Sequence, residues 1–152
     1  MILQLIAAMV GTIGFALLFG VPQKYYIVGG LIGAAGWGIY CSTVNTCGAT
    51  IATLLATIVV MFLSRGASVC KKCPVTIFMI SGIIPLVPGG GVYWTSYYLV
   101  MNQLSLAFET GYKAIKCAVA IVIGIVIVFE LPQSLFFALT GNKSVKKKKI
   151  SD

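Results

Sequence analysis

Long apolar runs, separated by short polar or glycine- and proline-containing connections, account for most of this chain. A membrane-spanning helix needs about 20 mostly apolar residues, and several runs approach or exceed that length. The pattern therefore predicts an all-α integral membrane protein with about five transmembrane helices. The predicted spans lie at about residues 2–20, 25–41, 48–64, 75–104 and 114–138, followed by a basic tail at 139–152.

The fourth run is longer than one plain span and is interrupted in its middle. Pro85 and Pro88 are followed directly by Gly89, Gly90 and Gly91. Proline removes a backbone N–H and clashes with the preceding turn, and glycine costs roughly 1 kcal/mol against alanine in a helix. We therefore expect the fourth helix to be broken from Pro85 to Gly91. The alternative is a plain loop that joins two short helices at the membrane surface.

A break at membrane depth has chemical consequences. An unpaired backbone polar group in hydrocarbon costs several kcal/mol, so irregular backbone persists there only when it is buried in protein or lines a wet cavity. Half-helix ends and freed carbonyl groups then offer polar partners to a substrate or an ion. The segment from Pro85 to Gly91 is thus a candidate part of a substrate path. Tyr93 follows this segment, and a tyrosine there is suited either to contact with an organic substrate or to an interfacial aromatic belt.

Two helical faces carry small or hydroxyl side chains. Gly29, Gly33 and Gly36 share one face of the second span, where small residues let helices pack closely; the alternative is that this face lines a path. The third span presents a polar face instead. Threonine in a membrane helix bonds its own i−4 carbonyl or a neighbouring helix, or the face forms one wall of a substrate path. That face carries Thr50, Thr53 and Thr57.

Glu130 is the acidic residue that falls inside a predicted span. Carboxylates within a membrane are costly and are functional candidates, for example as proton carriers. Glu130 is therefore the candidate for proton coupling. The alternative places it near the interface, within reach of water or of the lysine-rich tail.

Composition supports the membrane class. Of the 152 residues, 59% are hydrophobic and 9% are charged, against about 25% charged in ordinary soluble domains. The net charge of +8 includes the tail run Lys146 to Lys149, which is typical of a cytoplasmic segment that faces anionic lipid rather than nucleic acid. With five spans, nine of the eleven basic residues lie on the side of the tail, and Lys113 and Lys116 lie outside. The C-terminus is then cytoplasmic and the N-terminus outside.

The residues predict neither catalysis nor a bound metal. The chain has five cysteines and no histidine, and only Cys70 and Cys73 have redox or metal-ligand spacing. We find no acid/base pair, activated nucleophile or phosphate-binding loop in the sequence. The prediction is no catalytic residue, no cofactor and no metal, with a membrane thiol oxidoreductase built on Cys70 and Cys73 as an alternative.

The break and its surroundings resemble the small subunit of the threonine/serine exporter family. The resemblance rests on the segment from Ile84 to Tyr93, with Phe78 and Gly82 before it, and extends over nearly the whole chain. Further matches are Phe19-Gly20-Val21-Pro22 and Gly33-Ala34-Ala35-Gly36-Trp37. Neither the pair Cys70 and Cys73 nor Glu130 belongs to the family pattern.

The resemblance implies a secondary transporter in the inner membrane that exports small hydrophilic metabolites. It implies that the substrates are threonine and serine and that the proton motive force drives export. It also implies that the partner is a separate large-subunit membrane protein. Five spans enclose little aqueous path by themselves, so either a partner or a homo-oligomer is expected. Within transport, dicarboxylates or other small organic acids are the alternative substrates. Outside transport, the alternative is a membrane scaffold or assembly subunit.

Overall fold

The computed structural model describes residues 2–132, and these form an all-helical protein. No strand occurs among these residues. The tail at 139–152 and the end of the last predicted span lie outside the described residues. Short 3₁₀ turns at Gln23–Tyr25 and Ile84–Leu86 connect some of the helices. The helices are α1 (Ile2–Leu18), α2 (Tyr26–Lys71), α3 (Thr76–Ile83), α4 (Gly89–Val100) and α5 (Leu104–Glu130).

Helix α2 folds back on itself at Gly48. This residue has φ 79° and ψ 163°, which interrupts the helix and suits a residue without a Cβ atom. A methyl group of Val60 occupies the place where Gly36 would carry its Cβ, and the two residues lie equally far from Gly48 along the chain. The first leg, residues 26–47, therefore packs antiparallel to the second leg, residues 49–71.

Helices α1 and α3 pack on the first leg. The Thr12 side chain of α1 fills the space above Gly33, and a Cβ on Gly38 would lie 3.3 Å from Leu5, so α1 runs antiparallel to this leg. The ring of Phe78 meets the Tyr25 ring edge-on, with centroids 5.5 Å apart. Further along both elements, Ser81 lies beside Gly29 and Leu86 lies beside Gly36. Helix α3 and the first leg therefore run parallel.

Helix α5 packs on the second leg. A Cβ on Gly124 would lie 3.0 Å from Thr57, and one turn further along both helices Met61 and Val128 form a buried cluster. The two helices therefore run parallel. Taken in chain order, α1, the two legs of α2, α3 and α5 alternate in direction. Their common core contains Tyr25, Ile32, Ala56, Val60, Phe78, Leu86 and Ile121.

By length and apolar composition, two helical stretches are able to cross a membrane. These are Gln23–Lys71, which contains the turn at Gly48, and Leu104–Glu130. A third is counted if the bent pair Thr76–Leu86 and Gly89–Val100 is one span. Helix α1 is apolar but shorter. The structure thus shows two to three candidate spans, and the count of five stays a prediction.

Some helix ends differ from the sequence prediction. The third predicted span ended at about residue 64, whereas the second leg continues to Lys71 and ends where Lys72 adopts a left-handed conformation at φ 52°. Ser64 and Ser68 are buried in the bundle, so packing keeps this segment helical. Helix α5 begins at Leu104, ten residues before the predicted span, because its first turns pack against α4.

Candidate functional site at the break between α3 and α4

The irregular backbone between α3 and α4 is shorter than predicted. After the 3₁₀ turn, only Val87 and Pro88 lie between the helical segments, which are bent by 48°. The expectation that Gly89 to Gly91 would be non-helical was wrong, since these three residues form the first turn of α4. The first N–H groups of a helix have no acceptor inside it. Pro88 can therefore stand directly before the turn, where its missing N–H costs nothing.

The first turn of α4 presents backbone amides to the surroundings. Gly89 N donates to Val87 O at 2.7 Å, and Val92 N donates to Pro88 O at 3.1 Å. Between them, the amides of Gly90 and Gly91 belong to the first turn, which lies at the positive end of the helix dipole. A Cβ on Gly89 or Gly90 would meet nothing within 4 Å. A small anionic group is therefore able to approach the start of α4 from the side of Gly89 and Gly90.

The chain changes packing partners at the break. On one side, buried Leu86 lies against the first leg of α2, 3.8 Å from the Cβ position of Gly36. On the other side, the Cβ position of Gly91 lies 3.0 Å from Ala114 in α5. Helix α4 has no buried residue and packs chiefly on α5. The break is therefore the point where the chain passes from the bundle of α1, α2, α3 and α5 to α4, which packs on the first turns of α5.

Tyr93 lies one helical turn after Gly89, so the two share a face of α4. Its side chain is 64% exposed, and its ring meets Trp94 edge-on at 5.4 Å. Trp94 also contacts the rings of Tyr97 and Tyr98. This exposed aromatic cluster suits an interfacial belt as well as a substrate-facing wall. Pro85, within the 3₁₀ turn, is half-buried.

The three threonines of the polar face lie beside α5. Thr53 and Thr57 are buried and donate to the carbonyl oxygens of Ala49 and Thr53, at 2.7 and 2.8 Å. Thr57 also packs on Gly124. Thr50 is half-buried and lines a groove between the second leg and α5. In this conformation Thr53 and Thr57 hydrogen-bond to carbonyl groups of their own helix and make packing contacts. A role for this face in a substrate path stays a prediction.

The three glycines of the small-residue face meet three different neighbours. Gly33 lies under Thr12 of α1, and Gly36 under Val60 of the second leg. A Cβ on Gly29 would lie 3.6 Å from the hydroxyl oxygen of Ser81 in α3. One face of the first leg therefore contacts most of the bundle.

Sequence reasoning missed the environment of Arg65, which lies just beyond the predicted third span at 48–64. Arg65 is only 6% exposed, and its guanidinium donates to the carbonyl oxygens of Val128, Phe129 and Leu131 at the end of α5. The C-terminal end of a helix carries the negative end of the helix dipole, which favours a cation. Glu130, the candidate for proton coupling, lies among them with an exposed side chain. No local signal marks Arg65, because its partners follow at least 63 residues later.

The other chemical candidates remain dispersed. Within residues 2–132, no group of three or more His, Cys, Asp or Glu side chains is placed to hold a metal ion. Cys70 is exposed and Cys73 half-buried, and neither forms a disulfide.

Comparison with protein families identifies the chain. The family described as "Threonine/Serine exporter, ThrE" matches residues 4–130, which is most of the 152 residues. Searches of curated proteins and of solved structures return no match. Given the long apolar helices and a family match over most of its length, the chain belongs to the threonine/serine exporter family of membrane transporters.

Proposed function

We propose that this chain is one membrane half of a secondary transporter that exports threonine and serine across the inner membrane. In this proposal it works with a large-subunit membrane protein, and the proton motive force drives export. The observation that carries the proposal is the break, where the open first turn of α4 begins a helix that has no buried residue.

The proposed topology has five membrane crossings. The alternating directions of α1, the two legs of α2, α3 and α5 support it, with α3 and α4 together forming the broken fourth crossing. Arg65, Lys71 and Lys72 then lie on the cytoplasmic side, as the positive-inside rule favours. The N-terminus is outside and the C-terminus is cytoplasmic.

The break recognises the part that threonine and serine share, the zwitterionic head group. The substrate carboxylate binds at the amides of Gly90 and Gly91, where the helix dipole favours negative charge. Backbone carbonyl groups around Pro85 and Pro88, which keep a lone pair beyond the bonds that Val87 and Pro88 accept, receive the ammonium group. Tyr93, on the same face of α4 as Gly89, is a second contact. The face of Thr50, Thr53 and Thr57 forms a wall further along the path.

A partner completes the path. Helix α4 has no buried residue, and Tyr93, Trp94 and Tyr97 are 64%, 49% and 40% exposed. A large-subunit helix packed on α4 would close the side of the break that this chain leaves open. The same surface would serve a homo-oligomer, which is the second arrangement to test.

Glu130 is the proposed carrier of the coupled proton. It is the last residue of α5, and the carbonyl oxygens on either side of it are bonded to Arg65. These bonds hold the end of the helix in place while leaving the exposed carboxylate able to exchange protons.

The test is threonine efflux from cells that lack their own exporters and are preloaded with a threonine-containing dipeptide. The cells express this chain alone, the large subunit alone, or both. We expect efflux only when both chains are present. Absence of threonine and serine efflux with both proteins inserted would overturn the proposed substrates. Organic-acid efflux by the same pair would then identify the alternative transporter, and no efflux of either class would favour the scaffold.

A further inference from the structure

A groove of about 260 Å³ runs between the second leg of α2 and α5. Its walls are almost entirely apolar, and several lining side chains are exposed, among them Ile51, Ile115, Val119 and Ile123. From Ile115 to Ile123 the groove follows α5 for roughly 12 Å. This is close to the depth of one leaflet, about half of the roughly 30 Å hydrocarbon core.

A cation stands at one end of this groove. Lys116 lines the groove together with Thr50, which lies two residues after the turn at Gly48. Because Gly48 ends both legs of α2, this is the end of the two legs, beyond which α4 packs on the first turns of α5. Leu54 and Ile123 line the groove further from this end. The charge therefore lies at one end of the groove and the apolar walls extend away from it, in the order in which a phospholipid carries its phosphate and its acyl chains.

The ammonium of Lys116 is held in position by Tyr112. Its Nζ lies 4.7 Å from the centroid of the Tyr112 ring, within the range of a cation–π interaction. Phe108 in turn stacks on Tyr112, with ring centroids 6.5 Å apart. Lys113, by contrast, forms an ion pair with Glu109 at 2.6 Å and does not line the groove.

We infer that this groove binds one anionic phospholipid, with an acyl chain between the second leg and α5 and its phosphate at Lys116. Charge complementarity distinguishes this occupant from a zwitterionic lipid, whose own cationic group would lie beside Lys116. The same charge favours the phospholipid over a partner helix, because a packed helix would have to desolvate Lys116. The inference concerns a lipid site and does not depend on what the protein transports.

Native mass spectrometry of the purified full chain tests the inference directly. The protein is equilibrated with equal amounts of phosphatidylglycerol and phosphatidylcholine, and the lipids retained per chain are counted. We expect the wild type to retain phosphatidylglycerol preferentially and Lys116→Gln to reduce that retention at least fivefold. Lys113→Gln, which removes the same charge three residues away, should retain it as the wild type does.

A second variant tests the apolar part of the site. Val119→Phe fills the groove from a half-exposed position without changing a charge, and it should lower retention of phosphatidylglycerol while Lys116 is intact. Equal losses in Lys116→Gln and Lys113→Gln would overturn the inference, because they would show only a general surface charge effect. Equal retention of the two lipids by the wild type would overturn it as well. Exclusion of phosphatidylglycerol by a bound large subunit would assign the groove to a protein partner instead.

Discussion

Val60 occupies the space that a side chain on Gly36 would need. The two residues lie on opposite legs of α2, and their contact holds the hairpin closed below the turn at Gly48. Leu86, at the start of the break, packs against the same glycine. A single small residue therefore joins the hairpin to the segment on which the proposed function depends.

We predict that Gly36→Leu destabilises the protein. The added side chain must displace Val60, and overpacking of this kind costs about 1–3 kcal/mol. Thermal unfolding in detergent measures the effect. Gly14→Leu in α1 is the matched control, because a Cβ there meets nothing within 4 Å, and both changes raise helix propensity equally. An equal shift of the unfolding midpoint in the two variants would contradict the close contact.

The spacing of Gly29, Gly33 and Gly36 predicted a face of small residues, because helical periodicity alone determines which residues share a face. It did not predict which neighbours they meet. Thr12, Val60 and Ser81 come from three different elements, and this choice depends on the tertiary arrangement. Similarly, the polar segment at 42–48 indicated a connection between two spans. That the chain reverses sharply at Gly48 became evident only from the positive φ of this residue in the structure.

We predict that Arg65→Leu lowers the free energy of unfolding by about 2–3 kcal/mol, since it removes charge-assisted hydrogen bonds and leaves carbonyl groups without them. Arg65→Lys should lose part of this stability, because a lysine ammonium does not reproduce the planar fork of donors. Lys71→Leu, at an exposed position of the same leg, is the control. Equal stability of the Arg65→Leu and Lys71→Leu variants would show that the capping bonds contribute nothing.

The sequence predicted the break but not its internal structure. Pro85 and Pro88 identify where regular helix stops, whereas glycine propensity suggested that Gly89 to Gly91 would also be irregular. The penalty for glycine is small compared with packing, and Gly91 fits closely against Ala114. Arg65 shows the same limit at longer range. It lies just beyond the predicted third span, while the carbonyl groups that it bonds are contributed by the far end of α5.

We predict that Thr57→Val leaves the free energy of unfolding within about 1 kcal/mol of the wild type. The hydroxyl bonds a carbonyl of its own helix, such bonds contribute little net stability, and valine preserves the shape that packs on Gly124. Denaturant unfolding provides the measurement. A much larger loss would show that the hydroxyl has a further buried partner. A severalfold fall in efflux at unchanged stability would support the proposed wall of the path.

We predict that Glu130→Gln uncouples export from the proton gradient. An amide cannot carry the proton, so a sudden change of external pH should no longer alter the rate of threonine efflux. Glu109→Gln is the control, since this exposed carboxylate at the other end of α5 is paired with Lys113. An unchanged response to pH in the Glu130→Gln variant would exclude Glu130 as the proton carrier.

The most direct test of the proposed substrate site is threonine efflux by Gly90→Leu, expressed with the large subunit and compared with Gly14→Leu. A Cβ at either position meets nothing within 4 Å, so both proteins should fold and insert, which quantitative membrane blotting verifies. At Gly90, however, the leucine side chain covers the open amides of α4. We predict that Gly90→Leu abolishes efflux and that Gly14→Leu retains it. Wild-type efflux by inserted Gly90→Leu would contradict a substrate site at the break.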